Sequence, residues 1–284
     1  MTPSLKVTVS GYKMYTAGSI IASYKMSLSV AGVRLKLRPY AKAKKWNKCF
    51  CIGSHKTGTT TMNALMNLLG YDCAPELEMA MSTSEQLQHG LYQELFEKIR
   101  QYDFFQDSPF SDGLTWVALD SAFPGSKFIY TYRDPESWFE SLVRFQAKNI
   151  GKAVGEVSPK DIADFSFLRS GFLKTKTEYF WLARVDDRLQ RVVHDWSLLY
   201  DKKHYIHLYI ERRDQILKYF QRREQDLLVI DLTKEDSVKP IADFLELPCF
   251  VNFSIPAFNA TDEADNNYCV NVLDSRLAEI LLGK

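Results

Sequence analysis

The chain has 284 residues, of which 46% are hydrophobic and 13% aromatic, and its 36 basic residues nearly balance its 35 acidic ones. This composition excludes a disordered, collagenous or low-complexity chain and provides enough apolar side chains for a hydrophobic core. No uninterrupted apolar run reaches the roughly 18–20 residues that a membrane span needs, so we expect no membrane partner.

The charge is distributed unevenly along the chain. Residues 1–71 contain eleven basic residues and no acidic one, and the first carboxylate is Asp72. Residues 72–284 contain 25 basic and 35 acidic residues, a net charge of −10. Such a split predicts either a basic arm or an anion-binding function near the N-terminus.

Residues 1–46 are predicted to form a basic N-terminal arm. Apolar and polar residues alternate in residues 5–9, 26–30 and 33–37, and a period of two favours half-buried strands and hence a β appendage. An acid-free stretch that contains serine and lysine is also typical of a transit peptide, so a cleaved leader is the alternative.

From residue 47 onwards the pattern predicts an α/β domain that continues to residue 284. The pattern predicts strands at residues 49–52, 127–132 and 227–230, and a further apolar stretch spans residues 102–105. Helical spacing predicts helices over residues 59–69, 84–100, 114–123 and 237–245. Asp134-Pro135 marks the start of a further helix, and residues 150–225 are expected to be mostly helical. We therefore expect a three-layer fold, a parallel sheet with helices on both faces.

The five cysteines form no CxxC pair. Cys49 and Cys51 lie inside an apolar run, where we expect buried free thiols, and this favours a reducing compartment. We predict a cytoplasmic location, with an organelle as the alternative if the N-terminus is a transit peptide.

Residues 53–60, with the sequence GSHKTGTT, join a predicted strand to a predicted helix. A glycine-bearing turn lets backbone N–H groups converge on an anion, and the helix N-terminus, Lys56 and the threonine hydroxyls add positive charge and donors. The alternative is an ordinary turn with solvated polar residues. The segment is not a Walker A motif, because Lys56 precedes Gly58 by two residues, and a nucleoside triphosphatase is therefore disfavoured.

The order Lys-Thr-Gly-Thr-Thr at residues 56–60 resembles the 5′-phosphosulfate loop of the sulfotransferases that use 3′-phosphoadenosine 5′-phosphosulfate (PAPS). Arg133, at the end of a predicted strand, and Ser141, eight residues later, are similar to the 3′-phosphate motif of that family. Further segments are similar to its microbial branch: residues 107–109, 123–129, 226–232, 244–248 and 255–259. The resemblance covers residues 47–262 and implies a P-loop NTPase-like sulfotransferase fold.

The resemblance implies transfer of a sulfuryl group from PAPS to a hydroxyl or amine of a small-molecule acceptor. It implies a donor site formed by Lys56, Thr57, Gly58, Thr59, Thr60, Arg133 and Ser141. Lys56 would stabilise the charge that develops on the leaving phosphate. Asp107 stands where members of the family have a His or carboxylate base, and partial burial beside phenylalanines would raise its affinity for a proton. His55 is the second candidate base.

The residues also allow other interpretations. Asp107 could cap a following helix, and Arg133 could pair with Asp134 or Glu136 at the surface. Independently of any family, Lys56 and Arg133 each follow a predicted strand and Asp107 follows the apolar stretch at 102–105. We therefore expect all three to reach one crevice at the carboxyl ends of the sheet.

No metal is expected, because His194, His204 and His207 lack the spacing of a metal site. The aromatic residues between 165 and 181 could line an acceptor cavity or belong to the core. We expect no nucleic-acid partner and a monomer or homodimer. The alternatives to a sulfotransferase are a nucleotide-dependent phosphotransferase of related fold and a catalytically silent nucleotide-binding protein.

Overall fold

The computed structural model describes residues 6–10, 28–76, 79, 90–166, 170–255, 267–271 and 275–282. Residues 84–89 of the predicted helix 84–100 and residues 256–259 of the family-like segment 255–259 lie outside the described residues.

The strands are β1 Lys6–Ser10, β2 Cys49–Cys51, β3 Phe104–Gln106, β4 Lys127–Thr131, β5 Ala183–Asp186, β6 Arg191–His194, β7 Leu227–Ile230 and β8 Asn267–Asn271. The α-helices are α1 Leu28–Lys42, α2 Thr59–Leu68, α3 Gln93–Ile99, α4 Thr115–Ala122, α5 Pro135–Ile150, α6 Pro159–Asp164, α7 Phe172–Thr177, α8 Lys202–Phe220, α9 Lys239–Phe244 and α10 Ser275–Leu282. A π-helical turn spans Glu178–Leu182. Within the described ranges, no helix combines the length and apolarity needed to cross a membrane.

Four strands form a central parallel sheet in the order β3-β2-β4-β7. The register places Cys51 of β2 beside Gln106 of β3 and Ile129 of β4. The strands β2 and β3 are buried along their whole length, as is typical of strands in a sheet covered on both faces. The prediction of an α/β fold with a parallel sheet is confirmed. Because all four strands run the same way, the segments that follow them leave from one edge of the sheet.

Helices flank both faces of this sheet because alternate strand residues point to opposite sides. On one face, Phe50 packs against Phe105 and Phe128, with ring centroids 5.2 and 5.6 Å apart, and against Phe123, which follows α4. The other face carries a larger buried cluster to which β2, β3 and β4 contribute alternate residues. The helices α1, α2, α9 and α10, the strand β7 and the segments between these elements supply its remaining side chains.

The prediction of strands at residues 26–30 and 33–37 is wrong for residues 28–30 and 33–37, which belong to α1, and residues 26 and 27 lie outside the described residues. The buried side chains Leu37 and Ala41 are four residues apart, and so are Arg34 and Arg38, which both contact Asp72. A helix satisfies both pairs at once, because residues four positions apart lie on the same face of a helix. The strand expected at residues 5–9 is confirmed as β1, which pairs antiparallel with β8.

The chain divides into two compact units. The first contains the described residues up to Tyr132 and those from Arg223 onwards, and the second contains the described residues from Arg133 to Arg222. The expectation that residues 150–225 are mostly helical missed the antiparallel hairpin of β5 and β6 in the second unit. Its strands read ARVD and RVVH, and Val185 and Val192 are exposed, so no apolar run marked them.

The thiols of Cys49 and Cys51 are free and buried, as predicted. Burial raises the pKa of the Cys51 thiol to about 12, because a thiolate would lose its hydration there. Cys73 is half-buried and Cys249 is exposed, and both are free.

Candidate active site

The loop between β2 and α2, residues 52–58, is here called the phosphate loop. Gly58 is the N-cap of α2 with a φ of 98°, a left-handed conformation that side-chain-bearing residues adopt at a cost. At Gly53, a Cβ atom would lie 1.9 Å from Oγ1 of Thr131. The loop therefore needs glycine at Gly58 for its backbone direction and at Gly53 for its close approach to the end of β4.

Thr57 holds the phosphate loop in shape through its side chain. Its buried hydroxyl donates to the carbonyl oxygen of Ser54 at 2.6 Å, and Oγ1 of Thr131 lies 2.7 Å from Oγ1 of Thr57. Because a hydroxyl has one hydrogen, the Thr131 hydroxyl must be the donor in the second contact. This corrects the expectation that the Thr57 hydroxyl serves an anion, to which Thr57 can offer its backbone N–H.

The N-terminus of α2 has the features of an anion site. Its N-cap is a glycine, which has no side chain to accept from the first backbone N–H groups. These amides and the positive end of the helix dipole favour a negative group. Lys56 is half-buried immediately before this turn, Thr60 is half-buried in its first turn, and Thr59 is buried.

The two candidate bases contact each other. Nδ1 of His55 lies 3.0 Å from Oδ1 of Asp107, and their side chains are 34% and 15% exposed. The same carboxylate oxygen accepts the backbone N–H of Ser108 at 2.8 Å. Since Asp107 accepts, Nδ1 of His55 must be the donor, and in the neutral ring the lone pair then lies on Nε2. We call His55 and Asp107 the His–Asp pair.

The alternative that Asp107 caps a following helix does not hold. The next helix, α4, begins only at Thr115, and its N-cap is Leu114. Asp107 itself has a φ of 61°, and a turn follows in which Ser108 donates to Asp112 at 2.7 Å. Aspartate tolerates the left-handed region better than most residues, which suits it to this position. The carboxylate is thus directed at His55 by the turn that follows β3.

Arg133 and Ser141 lie in the second unit. As predicted, Asp134 caps α5, accepting the backbone N–H of Ser137 at 2.9 Å, and Pro135 occupies its first turn. Glu136 forms an ion pair with Lys202. Ser141 is half-buried about two turns into α5. The prediction that Arg133 shares a crevice with Lys56 and Asp107 stays a prediction.

Tyr209 of α8 was missed from the sequence, although it holds the backbone of Arg133. Its hydroxyl accepts the N–H of Arg133 at 3.2 Å and donates to the carbonyl of the same residue at 3.4 Å. The two residues are 76 positions apart, and a buried tyrosine in a helix carries no local signal that could have indicated this contact.

A second basic cluster accounts for three of the eleven basic residues in the acid-free N-terminal stretch. We call Arg34, Arg38 and Lys42 of α1 the α1 cation cluster. Arg34 and Arg38 contact Oδ1 of Asp72 at 2.8 and 2.7 Å, and Lys42 contacts Oδ2 at 2.8 Å. Lys42 also reaches Asp103 at 2.9 Å. Burial alone would raise the pKa of Asp72, but hydrogen bonds from Arg38 and Lys42 outweigh it and hold the pKa well below its usual range.

His204, considered above as a metal ligand, and Arg223 both have hydrogen-bond partners in the structure. His204 Nε2 lies 2.9 Å from the carbonyl oxygen of Trp181, and Arg223 forms a two-pronged contact with Asp120 at 2.6 and 3.1 Å. Within the described ranges, no group of histidine, cysteine and carboxylate side chains could hold a metal ion.

The aromatic residues considered for the acceptor divide into two groups. Phe172 and Trp181 are buried, and Trp181 stacks on Tyr205 with ring centroids 5.2 Å apart, so these two belong to the core of the second unit. Phe165, Tyr179 and Phe180 are half-buried, and Phe167 lies outside the described residues.

A comparison with protein families adds independent information. A family model described as a sulfotransferase domain matches residues 48–264, which is about three quarters of the chain. The matched range includes the phosphate loop, the His–Asp pair, Arg133 and Ser141. A search of curated proteins found no matching relative.

Proposed function

The chain belongs to the sulfotransferase domain family, and on that premise we propose that it transfers a sulfuryl group from PAPS to a hydroxyl or amine of a small molecule. The phosphate loop carries this proposal. It joins a buried strand to a helix with a glycine N-cap and places Lys56 before that helix, in the order that resembles a 5′-phosphosulfate loop.

The residues of the phosphate loop fit the phosphosulfate group of such a donor. Gly53 and Gly58 leave the backbone uncovered by a Cβ, and the amides at the start of α2 supply donors that require no side chain. We propose that Lys56 and the backbone of residues 57–60 hold the 5′ end of the donor. Arg133 suits a 3′-phosphate because its planar fork can bind two oxygens at once, and Ser141 would add a hydroxyl.

The donor supplies a sulfuryl group, which passes to the acceptor oxygen or nitrogen as the bond from sulfur to the 5′-phosphate oxygen breaks, leaving adenosine 3′,5′-bisphosphate. Lys56 and the loop amides hold the negative charge that develops on the bridging oxygen, as preorganised donors do. His55 takes the acceptor's proton at Nε2. Asp107, at 3.0 Å from Nδ1, fixes the ring's tautomer and stabilises the protonated ring that results.

The His–Asp pair favours an active enzyme over a protein that only binds the nucleotide. A protein that only binds an anion gains nothing from a carboxylate that orients an imidazole beside the anion site. The acceptor is proposed as a small molecule on the family resemblance, and the protein as a monomer or homodimer. A cytoplasmic, reducing setting is proposed because the described thiols are free.

Ligand-dependent melting tests the proposal. We expect adenosine 3′,5′-bisphosphate to raise the melting temperature without magnesium, and Lys56→Ala to remove most of that shift. Stabilisation only by ATP with magnesium would instead indicate a phosphotransferase. Incubating the protein and Lys56→Ala with donor labelled in its sulfur and a metabolite extract then identifies the acceptor by mass spectrometry. No labelled product with any extract, despite bisphosphate binding, would indicate a silent binding protein.

A further inference from the structure

The hydroxyl of Tyr209 bridges both peptide groups of a single residue, Arg133. It accepts the N–H at 3.2 Å and donates to the carbonyl at 3.4 Å. Tyr209 is fully buried in the middle of α8, the longest helix among the described residues, with 19 residues. A hydroxyl has one hydrogen and two lone pairs, so one tyrosine can serve both groups without further partners.

The ring of Tyr209 is held as firmly as its hydroxyl. Trp138 of α5 stacks on it with ring centroids 4.1 Å apart and an angle of 5° between the planes. Trp138 is itself fully buried, and its indole also packs on Trp181 at 5.0 Å. The hydroxyl is therefore fixed in space by a stack of aromatic rings within the second unit. The start of α5 and the backbone of Arg133 are both attached to this stack.

We propose that Tyr209 is a positioning residue that fixes the backbone of Arg133, so that the guanidinium is preorganised for the 3′-phosphate of the donor. The proposal rests on the proposed function, which gives Arg133 that ligand. A guanidinium that is placed in advance loses less conformational freedom on binding, and its affinity rises accordingly. The chemistry occurs at the 5′ end of the donor, so Tyr209 should affect donor binding and leave the chemical step unchanged.

The same helix provides a matched control in Tyr205, one turn before Tyr209. Tyr205 is also buried, and its ring stacks on Trp181 at 5.2 Å with 15° between the planes. Among the described residues, no hydrogen bond joins its hydroxyl to Arg133. Tyr205→Phe and Tyr209→Phe therefore remove the same atom from equivalent surroundings, but only the second change removes bonds to Arg133.

The experiment measures binding of two nucleotides that differ only in the 3′-phosphate, adenosine 3′,5′-bisphosphate and adenosine 5′-phosphate, by titration calorimetry. We expect Tyr209→Phe to weaken bisphosphate binding about five- to tenfold, the loss that one net hydrogen bond accounts for, with monophosphate binding unchanged. The KM for the donor should rise by the same factor, and kcat should stay within about twofold. Tyr205→Phe should match the wild type in all of these quantities.

A double-mutant cycle removes the remaining ambiguity. In an Arg133→Ala background, where there is no guanidinium to place, Tyr209→Phe should have no further effect on the preference for the bisphosphate. If Tyr209→Phe weakens both nucleotides equally, or lowers kcat as much as it raises KM, its role is structural and the proposal is overturned. If the wild type binds both nucleotides equally, the function proposed for Arg133 fails, and the proposal for Tyr209 fails with it.

Discussion

The α1 cation cluster and the phosphate loop are both basic and both come from the first 71 residues, which contain no carboxylate. They differ in the chemical groups that surround the basic side chains. The arginines and lysine of α1 converge on Asp72 and Asp103, which the chain itself supplies. The phosphate loop places Lys56 before a helix whose cap is a glycine. We infer that a basic cluster held by carboxylates of the chain stabilises the fold, whereas a helix N-terminus capped by glycine is suited to bind an anion.

Substitution of one lysine from each region is the strongest test of this comparison. Lys56→Ala should lower kcat/KM by about 10²–10³, the loss expected for one preorganised donor to a developing charge. Its melting temperature should stay close to that of the wild type, because the side chain is half-buried in a loop. Lys42→Ala should show the reverse, a melting temperature lowered by a few degrees and normal turnover. Equal losses of activity in the two variants would remove the distinction.

The His–Asp pair extends the comparison, because it is a hydrogen-bonded pair that we assign to the site and not to the scaffold. His55→Ala should lower kcat about a hundredfold, at the lower end of what a positioned base contributes. Asp107→Asn should also lower kcat, since the amide cannot stabilise the protonated ring. The double variant should be no slower than the slower single variant, because the two side chains act as one unit. Losses that multiply in single-turnover measurements would contradict this mechanism.

The carboxylate at the centre of the α1 cation cluster should matter for stability alone. Asp72→Asn should lower the free energy of unfolding by about 1–3 kcal/mol, since three cations lose a shared, partly buried hydrogen-bond acceptor. Denaturant unfolding measures this loss, and Asp187→Asn, at an exposed carboxylate, is the control. A change in the KM for the donor in Asp72→Asn would show that the cluster takes part in binding.

The smallest effect concerns pH. Burial favours protonation of Asp72 and Asp103, but hydrogen bonds from the lysines and arginine prevail and lower the pKa of both. The unfolded chain therefore binds protons at a higher pH than the folded one, and stability must fall as the pH drops below the ordinary carboxylate pKa of about 4. Melting temperatures between pH 6 and 3 should decrease, and they should decrease less steeply in Asp72→Asn. An equal slope in both proteins would locate the acid sensitivity elsewhere.

Local patterns in the sequence predicted the scaffold of the site. Apolar runs predicted β2, β4 and β7, the glycine-bearing turn predicted the loop before α2, and Asp134-Pro135 predicted the start of α5. Each of these signals depends on neighbouring residues. The alternation in α1 misled because a helix of this length satisfied the same side chains better once Asp72 and the core were present.

The contacts that complete the candidate site depend on distant residues, and no local pattern contains them. His55 and Asp107 were expected as competing bases, whereas the sheet places the ends of β2 and β3 side by side and the two side chains meet. The hydroxyl of Thr57 faces Thr131, which is 74 residues away. Three of the nine basic residues from Lys6 to Lys45, namely Arg34, Arg38 and Lys42, had no explanation until their carboxylate partners were known.

The buried thiols of β2 allow opening of the central sheet to be followed by chemical labelling of its cysteines. Alkylating reagents react with the thiolate, and burial both shields Cys51 and raises its pKa to about 12. Cys249 is exposed and should react within minutes in the native protein. Cys49 and Cys51 should become alkylated only as the sheet opens. The rate at which they are labelled therefore measures how fast the strand that supports the phosphate loop is lost. Bisphosphate, if it binds there, should slow that second labelling without affecting Cys249.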